Sequence, residues 1–438
     1  MTRYIRALAL SVALSSVAAA QDAPPLDSLV AHAVAVSPIV AAARARADAA
    51  AARVAPAGAR PDPMLMAGVQ NFPLSEPGFA DFMTMKMIGV SQTIPFPGKL
   101  SRRVSIADEE LGAARAAVVG AQRAVARNVR MLYYDLAFAT RALDVVTRTQ
   151  AVVVAMIPVT ETRYASGSGS QSEILRLRVE TARLAEEGAT LVEERRASLA
   201  ELNALLGRDA DAPIDDAAIP FAIVRAAIAD SARSLTFESA ALGARVRSSP
   251  IPPMDSLLAL AINNSAELQE HEAMIRAQRA RAALARRERL PDVDVSLQYG
   301  QRNGFGDMVT AVVSIPIPLQ KSRKQDADVS AADADLRALE AEHMASLNEL
   351  RARLARLTGA LERDRTQLAL YGRSILPQAR ASLASANAGY QAGRVEFATL
   401  IDAQAILFNY ETDYYRALTD FAKTLAELEE QTGRTLIQ

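Results

Sequence analysis

Residues 387–393 read Asn-Ala-Gly-Tyr-Gln-Ala-Gly, and a shorter copy of this turn, Tyr-Ala-Ser-Gly, occupies residues 164–167. Each copy separates two long segments with helical periodicity. A tight turn between helices needs a positive φ angle at its last residue, which glycine adopts without strain. Gly167 and Gly393 therefore predict the tips of two helical hairpins, one in each half of the chain. Hairpins of this length need a partner.

The composition favours long helices. The chain has 438 residues, of which 50% are hydrophobic, but aromatic residues make up only 5% and tryptophan is absent. Glycine and proline number 20 each, which is few for this length and favours helices over sheet-rich domains. The formal net charge of −1 offers no attraction for a polyanion, so no nucleic acid is expected as a partner.

The N-terminus has the three parts of a secretory signal peptide, which is predicted over residues 1–20. Arg3 and Arg6 precede an apolar run over residues 7–17, which is followed by three alanines. No cysteine occurs, which excludes disulfides, thiolate metal sites and a lipid-bearing N-terminal cysteine. No later window is expected to reach the ~18–20 uncharged apolar residues of a spanning helix. A mature protein that enters a membrane would therefore do so with strands.

The chain is internally duplicated. Four pairs of matching positions occur in the same order at spacings of 221 to 230 residues: Asp27 with Asp255, Pro61 with Pro291, Ile94 with Ile315, and Tyr164 with Tyr390. A repeat of this size makes two half-folds rather than solenoid units. The predicted division is a first repeat over residues 21–206, an irregular equatorial linker over residues 207–253, and a second repeat over residues 254–438. Each repeat is expected to open with one helix, over residues 26–60 and 254–289.

Each opening helix is followed by a predicted β-hairpin. In the second repeat, apolar residues from Val293 to Tyr299 alternate with polar ones, and the alternation resumes after a turn at residues 303–306. This hairpin is expected over about residues 292–318. The first repeat has the same plan with a longer turn, over about residues 62–95. The alternation has about the length of a membrane-crossing strand.

A seven-residue apolar repeat follows each hairpin. It runs from Val104 to Val153 in the first repeat and from Leu347 to Ile375 in the second. Such a repeat predicts a long helix with a supercoiled seam. The predicted elements are long helices over about residues 98–166 and 322–388, and return helices over about residues 172–206 and 397–432.

Four strands in one chain cannot close a barrel, because an open sheet edge leaves backbone groups unpaired in lipid. Known single-chain barrels start at eight strands. If the hairpins are membrane strands, several chains must combine them, and twelve strands from three chains leave a lumen wide enough for solutes. The helices of all the chains would then lie side by side and continue the tube.

Residues 387–403, 164–173 and 202–207, together with the run Gln92–Lys99, resemble the TolC-like outer-membrane efflux proteins. The resemblance implies a mostly α fold with a transmembrane β-barrel, in a homotrimeric tube that crosses the outer membrane and extends into the periplasm. It also implies two partners in a tripartite pump, a periplasmic adaptor (membrane fusion) protein and an inner-membrane transporter of the RND type. The run Gln92–Lys99 is most similar to members that serve heavy-metal pumps.

The resemblance implies that Tyr390 and Asp402 constrict the periplasmic aperture, the tyrosine by hydrogen bonds and the aspartate in an acidic ring. Three carboxylates around a narrow axis repel one another and attract cations. The chain departs from the family pattern here, because Val395 occupies the arginine position, with Arg394 beside it, and Thr399 replaces one acidic residue. The alternative is that Tyr390 packs within the hairpin and Asp402 caps the following helix.

The resemblance also implies that the exposed tips contact the adaptor. They lie at the turns where each long helix ends and its return helix begins, at the periplasmic rim of the tube. The residues concerned are Tyr164, Gly167, Ser168, Ser170, Glu173, Gly393, Arg394 and Glu396.

Methionines cluster in the first hairpin. Met64, Met66, Met83, Met85 and Met87 are five of the 12 methionines in the chain. Transferring the alternation of the second hairpin to the first places them among lumen-facing polar residues, at the pore exit. Thioethers suit Cu(I) and Ag(I), so one hypothesis is weak, transient contact with soft metal ions. The alternative is that insertions in the longer hairpin break the alternation, so that these residues face lipid or lie in the loop.

The sequence holds no motif for catalysis or for a cofactor. The histidines at positions 32, 271 and 343 stand singly, with no partner at metal-ligand spacing, and no catalytic triad, phosphate loop or dinucleotide fingerprint occurs. No enzyme activity, cofactor or permanent metal site is expected. The leading function is an outer-membrane exit duct, a passive channel for small molecules or metal ions. The alternative, a soluble periplasmic coiled-coil adaptor or scaffold, leaves the alternating hairpins unexplained.

Overall fold

The structure is a computed structural model that describes residues 26–74, 77–214, 217–228 and 251–437. The predicted signal peptide, residues 1–20, lies outside the described residues, and so do residues 229–250 of the predicted linker. The described elements are two helices, two strands and two long helices, and this order occurs twice. The arrangement is that of two similar halves joined by a connecting segment.

The first half holds α1 (Leu26–Val36), α2 (Pro38–Ala57), β1 (Met64–Gln70), β2 (Met85–Ile94), α3 (Lys99–Ala165) and α4 (Gln171–Leu205). A short helix, α5 (Phe221–Ile228), follows. The second half holds α6 (Met254–Asn264), α7 (Ala266–Glu288), β3 (Val293–Arg302), β4 (Met308–Ser314), α8 (Gln325–Leu370), a π-helical turn (Tyr371–Ile375), α9 (Leu376–Gln391) and α10 (Phe397–Thr432).

Each half opens with two helices where the sequence predicts one. The break lies at Ser37 in the first half and at Ser265 in the second, and each serine caps the helix that follows it. Ser37 Oγ accepts the Val40 N–H at 3.4 Å, and Ser265 Oγ accepts the Leu268 N–H at 3.2 Å. Pro38 takes the first position of α2, where a missing N–H costs nothing. Helical periodicity continues across both breaks and therefore does not reveal them.

The four strands form one antiparallel sheet in the order β1-β2-β3-β4. The central pair joins the two halves, with Ile94 opposite Val293 and Met85 opposite Arg302. β1 and β4 are its edges, and each has one neighbour among the described strands. One face, called the apolar face below, is exposed and carries Leu65, Val69, Ile88, Val90, Val295, Leu297, Tyr299, Val309 and Val313. The opposite face, called the polar face, carries polar residues and methionines.

The long helices of the two halves differ in one turn. α3 is continuous over 67 residues, which is about 100 Å at 1.5 Å per residue. Its counterpart is interrupted by the π-helical turn between α8 and α9, which the sequence analysis did not predict. Pro377, in the first turn of α9, has no N–H to donate, and its ring crowds the preceding turn. A wide turn accommodates that crowding without ending the helix.

Apolar seams hold the long helices together. Leu354, Leu361 and Leu368 of the predicted heptads are fully buried in the second half, as are Leu177 and Leu184 in the first. Fully burying one leucine side chain stabilises the fold by about 1.5–3 kcal/mol. The seven-residue repeat therefore marks the buried stripe of each hairpin, as predicted.

The segment between the halves is partly helical. α5 packs against α8 and α10, and Ile214, Ala217 and Ile251 beside it are buried. The sequence predicts an irregular linker over residues 207–253. The helix was missed because its eight residues are too few to establish a helical periodicity.

Among the described residues, one helix has the length and composition to cross a membrane, whereas the sequence analysis expects none. α3 contains a window of 18 residues that is sufficiently apolar, and the bent pair α1 and α2 passes the same test if it is counted as one span. α3 packs along α4 and α10, and its seam is apolar for that reason. The core helix of a helical bundle satisfies such a test as well as a spanning helix does.

Candidate functional site

The two helical tips have the same backbone. The first tip is defined here as residues 160–173 and the second tip as residues 386–399, so that equivalent positions are 226 residues apart. The residue after the turn glycine donates its N–H to the carbonyl five residues earlier, at 2.9 Å in the first tip and 2.8 Å in the second. Gly167 and Gly393 have φ angles of 75° and 71°. This is the helix-ending motif that requires a left-handed residue, and it explains both glycines.

Tyr390 lies between residues of the first half and Phe397 of the second half, whose ring is edge-on to the Tyr390 ring with centroids 5.6 Å apart. Its side chain is only 4% exposed, and its hydroxyl donates to Glu173 Oε2 at 3.1 Å and lies 3.5 Å from Thr160 Oγ1. The guanidinium of Arg163 lies over the ring, 4.5 Å from its centroid, and Arg163 Nη1 donates to the Tyr390 carbonyl at 2.7 Å. Burial and the nearby Glu173 carboxylate raise the pKa of Tyr390 above its ordinary value. Tyr390 thus joins the second tip to the first.

Tyr164 occupies the equivalent position in the first tip but has no such surroundings. Its side chain is 49% exposed, and it makes no side-chain hydrogen bond with the described residues. The three residues of the first tip that contact Tyr390 have Ala386, Gly389 and Thr399 as their counterparts in the second tip. None of these three carries a charge, so they offer Tyr164 neither a cation nor a carboxylate.

A large and a small residue exchange places between the two tips. The first tip has Arg163 and Gly169, and the equivalent positions of the second tip hold Gly389 and Val395. A Cβ atom added at Gly389 would lie 2.5 Å from Val395 Cγ2, and one added at Gly169 would lie 3.1 Å from Arg163 Cβ. In each tip the side chains at the two positions would occupy the same space. Arg163 occupies it in the first tip, and Val395 occupies it in the second.

Asp402 and Arg394 do not join the group around Tyr390. Both are exposed, and neither makes a side-chain hydrogen bond or ion pair with the described residues. Asp402 lies in the second turn of α10, whereas the cap position before that helix belongs to Glu396, which makes no side-chain cap bond. Of the two alternatives from sequence, Tyr390 packs in the hairpin as one of them states, but Asp402 does not cap the helix.

The remaining predicted tip residues form an exposed rim. Ser168 Oγ lies 2.8 Å from Ser166 Oγ, and Ser170 Oγ lies 2.7 Å from Ser172 Oγ. Glu173 is half-buried because it binds Tyr390. The sequence reasoning did not select Thr160 or Arg163, although the internal repeat contained the signal. Aligning the two tips places Arg163 opposite Gly389 and Thr160 opposite Ala386.

Four of the five clustered methionines lie on the polar face of the sheet. The strand register places Met64 opposite Ser91, and Ser91 opposite Ser296. It places Met66 in line with Gly89 and Gln298, and Met85 opposite Arg302. Because side chains directly opposite each other point to the same face, the alternation transferred from the second hairpin holds for these strands.

Glycines give these methionines room. Met87 is flanked by Gly68 and Gly300, and Met308 lies on the far side of Gly300. The thioether of Met85 covers Gly300, since a Cβ atom added there would lie 2.6 Å from its sulfur. Met83 does not belong to this group. It lies in the turn before β2, where its N–H donates to Asp81 Oδ1 at 2.6 Å.

An ion pair fixes the junction between the helices and the sheet. Lys99 Nζ, at the start of α3, lies 2.7 Å from Asp292 Oδ1, just before β3, and the Phe96 N–H donates to the same oxygen at 2.8 Å. Burial alone would raise the pKa of Asp292, but these hydrogen bonds and the charge of Lys99 outweigh it and lower the pKa. At the spacing of 230 residues the equivalent of Asp292 is Asp62, which is exposed and makes no ion pair with the described residues. At the spacing of 221 residues the equivalent of Lys99 is Gln320, which carries no charge.

The histidines are less scattered than the sequence suggests. The rings of His271 and His343 lie 6.4 Å apart between centroids, on α7 and α8. His32 is alone, and its Nε2 lies 3.2 Å from the Leu206 carbonyl. Among the described residues, no group of three or more His, Asp or Glu side chains is placed to hold a metal ion.

A sheet with one exposed apolar face, joined to long paired helices, defines a class of helical proteins anchored in a membrane by strands. Within that class, the chain belongs to the outer membrane efflux protein family, whose profile matches residues 29–208 and 257–434. This confirms the resemblance drawn from the tip and hairpin motifs. The chain is accordingly an outer-membrane protein of an efflux system, and the family is one of channels rather than enzymes.

Solved structures with the same fold cover nearly the whole chain. The outer membrane protein VceC from Vibrio cholerae superposes with a TM-score of 0.75 at 19% sequence identity, over 94% of this chain and 96% of its own. The open state of the MtrE outer membrane channel of Neisseria gonorrhoeae gives a TM-score of 0.72 at 15% identity, over 94% and 90%. These similarities confirm the predicted fold class of helical tube and strand barrel.

A curated relative is also similar in sequence. The cobalt-zinc-cadmium resistance protein CzcC of Cupriavidus metallidurans is 22% identical over 345 residues, which cover 78% of this chain and 75% of the relative. Neither the family profile nor the structural similarities favour the soluble scaffold considered as the alternative.

Proposed function

We propose that three copies of this chain form the outer-membrane exit duct of a tripartite efflux system. The observation that carries the proposal is the sheet, which has an exposed apolar face and two edge strands, each with one neighbour among the described strands. Lipid would cover the apolar face, and pairing β4 of one copy with β1 of the next would satisfy both edges. Three copies supply twelve strands, and their helices continue the barrel into the periplasm.

The two tips are the proposed docking surface for a periplasmic adaptor protein. They lie at the end of the hairpins farthest from the sheet. The exposed rim consists of serines around Gly167 in the first tip and of Gln391, Arg394 and Glu396 around Gly393 in the second. The adaptor would link the rim to an inner-membrane transporter of the RND type. The duct itself is passive in this scheme, because the transporter supplies the energy.

The proposed cargo is metal ions or small molecules. The similarity to a cobalt-zinc-cadmium resistance protein favours metal ions. The polar face of the sheet would line the duct, and Met64, Met66, Met85 and Met87 lie on it. Thioethers are soft ligands, so these side chains would make transient contacts with Cu(I) or Ag(I) on the way out. Asp402, exposed near the second tip, is proposed to form an acidic ring around the aperture.

The function is tested in a host that lacks its own exit duct, adaptor and transporter. The host carries the adaptor and transporter of this system and is compared with and without the chain. We expect trimers in detergent extracts of the outer membrane that dissociate on heating, and export that is lost without the chain. Tolerance to cobalt, zinc, cadmium, copper, silver and unrelated drugs is then compared, which identifies the cargo. A protein released by osmotic shock, with unchanged tolerance, would refute the proposal.

The methionine contacts are tested by replacing Met64, Met66, Met85 and Met87 with leucine, which keeps their volume and apolar character. We expect lower tolerance to copper and silver and unchanged tolerance to drugs. The matched control is Met344→Leu, because Met344 is exposed on α8, away from the sheet. Equal loss of tolerance to metals and drugs would show a structural defect, and no loss would rule out the contact.

A further inference from the structure

A row of polar pairs, called the α7–α8 ladder below, joins α7 to α8. Three arginines in or directly after α7 each bind a carboxylate of α8, with nitrogen–oxygen distances of 2.7 to 2.8 Å. Starting from the sheet, the pairs are Arg289 with Asp326, Arg286 with Asp333, and Arg279 with Glu340. The numbers fall on α7 as they rise on α8, so the two helices are antiparallel. Each pair joins a charged donor to a charged acceptor.

The next pair along the ladder consists of two bases, His271 and His343. Their ring centroids lie 6.4 Å apart. The Nδ1 atom of each ring is buried and has no hydrogen-bond partner among the described residues. Buried polar atoms are nearly always paired in folded proteins. Two unpaired nitrogens at one contact between helices therefore point to a ligand that both rings share.

The two rings are too far apart for a direct hydrogen bond. A ring nitrogen lies about 1.1 Å from its centroid, so the nearest nitrogens of the two rings are at least about 4.2 Å apart, whereas a hydrogen bond needs about 3 Å. A metal ion bound to two imidazoles at about 2.0–2.1 Å separates their nitrogens by up to about 4.2 Å. The separation of the rings thus fits one metal ion with the two imidazoles on opposite sides of it.

The contact is accessible from the surface. His343 lines an open cavity of about 380 Å³ together with the carboxylates of Glu272 and Glu340. Arg276 and Arg279 line the same cavity, but each is bound to a carboxylate at 2.7 to 2.8 Å. The positive charges around the cavity are therefore compensated, and a cation can approach His343.

We propose that His271 and His343 bind one divalent transition-metal ion between α7 and α8, and that copper(II) binds most tightly. Imidazole suits copper, nickel and zinc, and the affinity of such sites is highest for copper(II). Ligands on opposite sides of the ion are typical of tetragonal copper(II) and nickel(II), whereas zinc prefers a tetrahedral arrangement. Water completes the coordination, because no group of three or more described His, Asp or Glu side chains is placed to hold a metal ion.

The bound ion extends the α7–α8 ladder by one step. It accepts a lone pair from each imidazole and so joins two bases that cannot pair with each other at this distance. Binding to the folded chain alone stabilises that chain by mass action. Because both ligands belong to one chain, the site depends neither on the assembly of three copies nor on the partners of the proposed duct.

The chain suits a direct test, because it has only three histidines and no cysteine. Purified full-length protein without an affinity tag is titrated in detergent with copper(II) chloride, and electron paramagnetic resonance gives the number of nitrogen ligands. We expect one ion per chain with two imidazole nitrogens. His271→Gln and His343→Gln should each weaken binding at least about tenfold and leave one nitrogen ligand.

The matched control is His32→Gln, which removes a ring that lies beside the Leu206 carbonyl and should leave copper binding unchanged. Copper binding that survives either His271→Gln or His343→Gln at full strength would overturn the inference, because the ion would then bind elsewhere, as at the N-terminal amine. No copper binding at all would also overturn it and would favour water as the partner of the two rings. Neither result affects the proposed duct, which is tested by export.

A second measurement needs no substitution and is therefore independent of folding defects in the variants. Diethyl pyrocarbonate modifies histidine side chains, and mass spectrometry follows the reaction at each of the three positions. Copper(II) should slow the modification of His271 and His343 several-fold and leave that of His32 unchanged. Equal rates at His271 and His343 with and without copper(II) would contradict the inference.

Discussion

The two tips share one backbone conformation, but their tyrosines have different surroundings. Both end in a glycine with positive φ, and both place a tyrosine three residues before it. Tyr390 is buried between an arginine and a glutamate, whereas Tyr164 is half exposed. A turn motif therefore fixes the path of the chain. Side chains four to seven positions from Gly167, namely those of Arg163, Glu173 and Thr160, determine that Tyr390 is buried.

The largest effect is expected at the space shared by Gly389 and Val395. Gly389→Arg places a Cβ atom 2.5 Å from Val395 Cγ2, and such overpacking costs about 1–3 kcal/mol of local stability. The opening free energy is measured by hydrogen exchange of the tip amides. Adding Val395→Gly should restore most of the loss, because the pair then copies the first tip.

The control for that substitution is Gly359→Arg. Gly359 also lies in a long helix, but a Cβ atom added there would meet nothing within 4 Å. This variant should be neutral or slightly stabilising, since arginine favours a helix over glycine by up to about 1 kcal/mol. Equal losses at both glycines would show that the close contact with Val395 is not the cause.

Removing the cation over the ring should have the next largest effect. Arg163→Met keeps an apolar side chain of similar length but loses the contact with the Tyr390 ring and the hydrogen bond to its carbonyl. We expect a loss of about 1–2 kcal/mol in the opening free energy of the second tip. Arg178→Met is the control, because its ion pair with Glu161 at 3.7 Å is exposed and should contribute little.

A smaller effect is expected from the tyrosine hydroxyls. Tyr390→Phe removes the donor to Glu173 and should cost about 1 kcal/mol at the tips, again by hydrogen exchange. Tyr164→Phe should cost nothing, because its hydroxyl makes no hydrogen bond with the described residues. Similar losses of opening free energy in the two variants would show that the Tyr390 hydroxyl contributes no more to stability than the Tyr164 hydroxyl.

The smallest effect is a dependence on alkaline pH. The pKa of Tyr390 is raised in the folded state, mainly by burial. The stability from this tyrosine is therefore fully present below the unfolded pKa of about 10 and is lost as the pH rises through the folded pKa. A fluorophore on Ser168→Cys should report increased mobility of the tip over that range. The response should disappear with Tyr390→Phe and persist with Tyr164→Phe.

The outline of the fold was predictable because it depends on patterns that repeat. Heptads marked the buried leucines, alternation marked the strands, and the duplicated turn gave both tips. The serine breaks and the π-helical turn were missed because a single residue, Ser265 or Pro377, changes the backbone without interrupting the periodicity.

The site was less predictable than the fold. The sequence placed Tyr390 at the tip and left open whether it packs inside the hairpin, since its neighbours come from residues more than 200 positions away. Arg163 has no local signal for its role. The polar face was predictable for four methionines through the strand period, but Met83 lies beyond the end of β2, where alternation no longer applies.

The internal duplication has a consequence for how such a duct can evolve. A duct built from six unfused half-chains would have six identical interfaces, and each mutation would alter all of them at once. Fusing two halves into one gene lowers the symmetry of the proposed ring from sixfold to threefold, so alternate interfaces can diverge. Arg163 and Gly389 record such a divergence between the two tips, because only the first tip supplies the cation that lies over Tyr390.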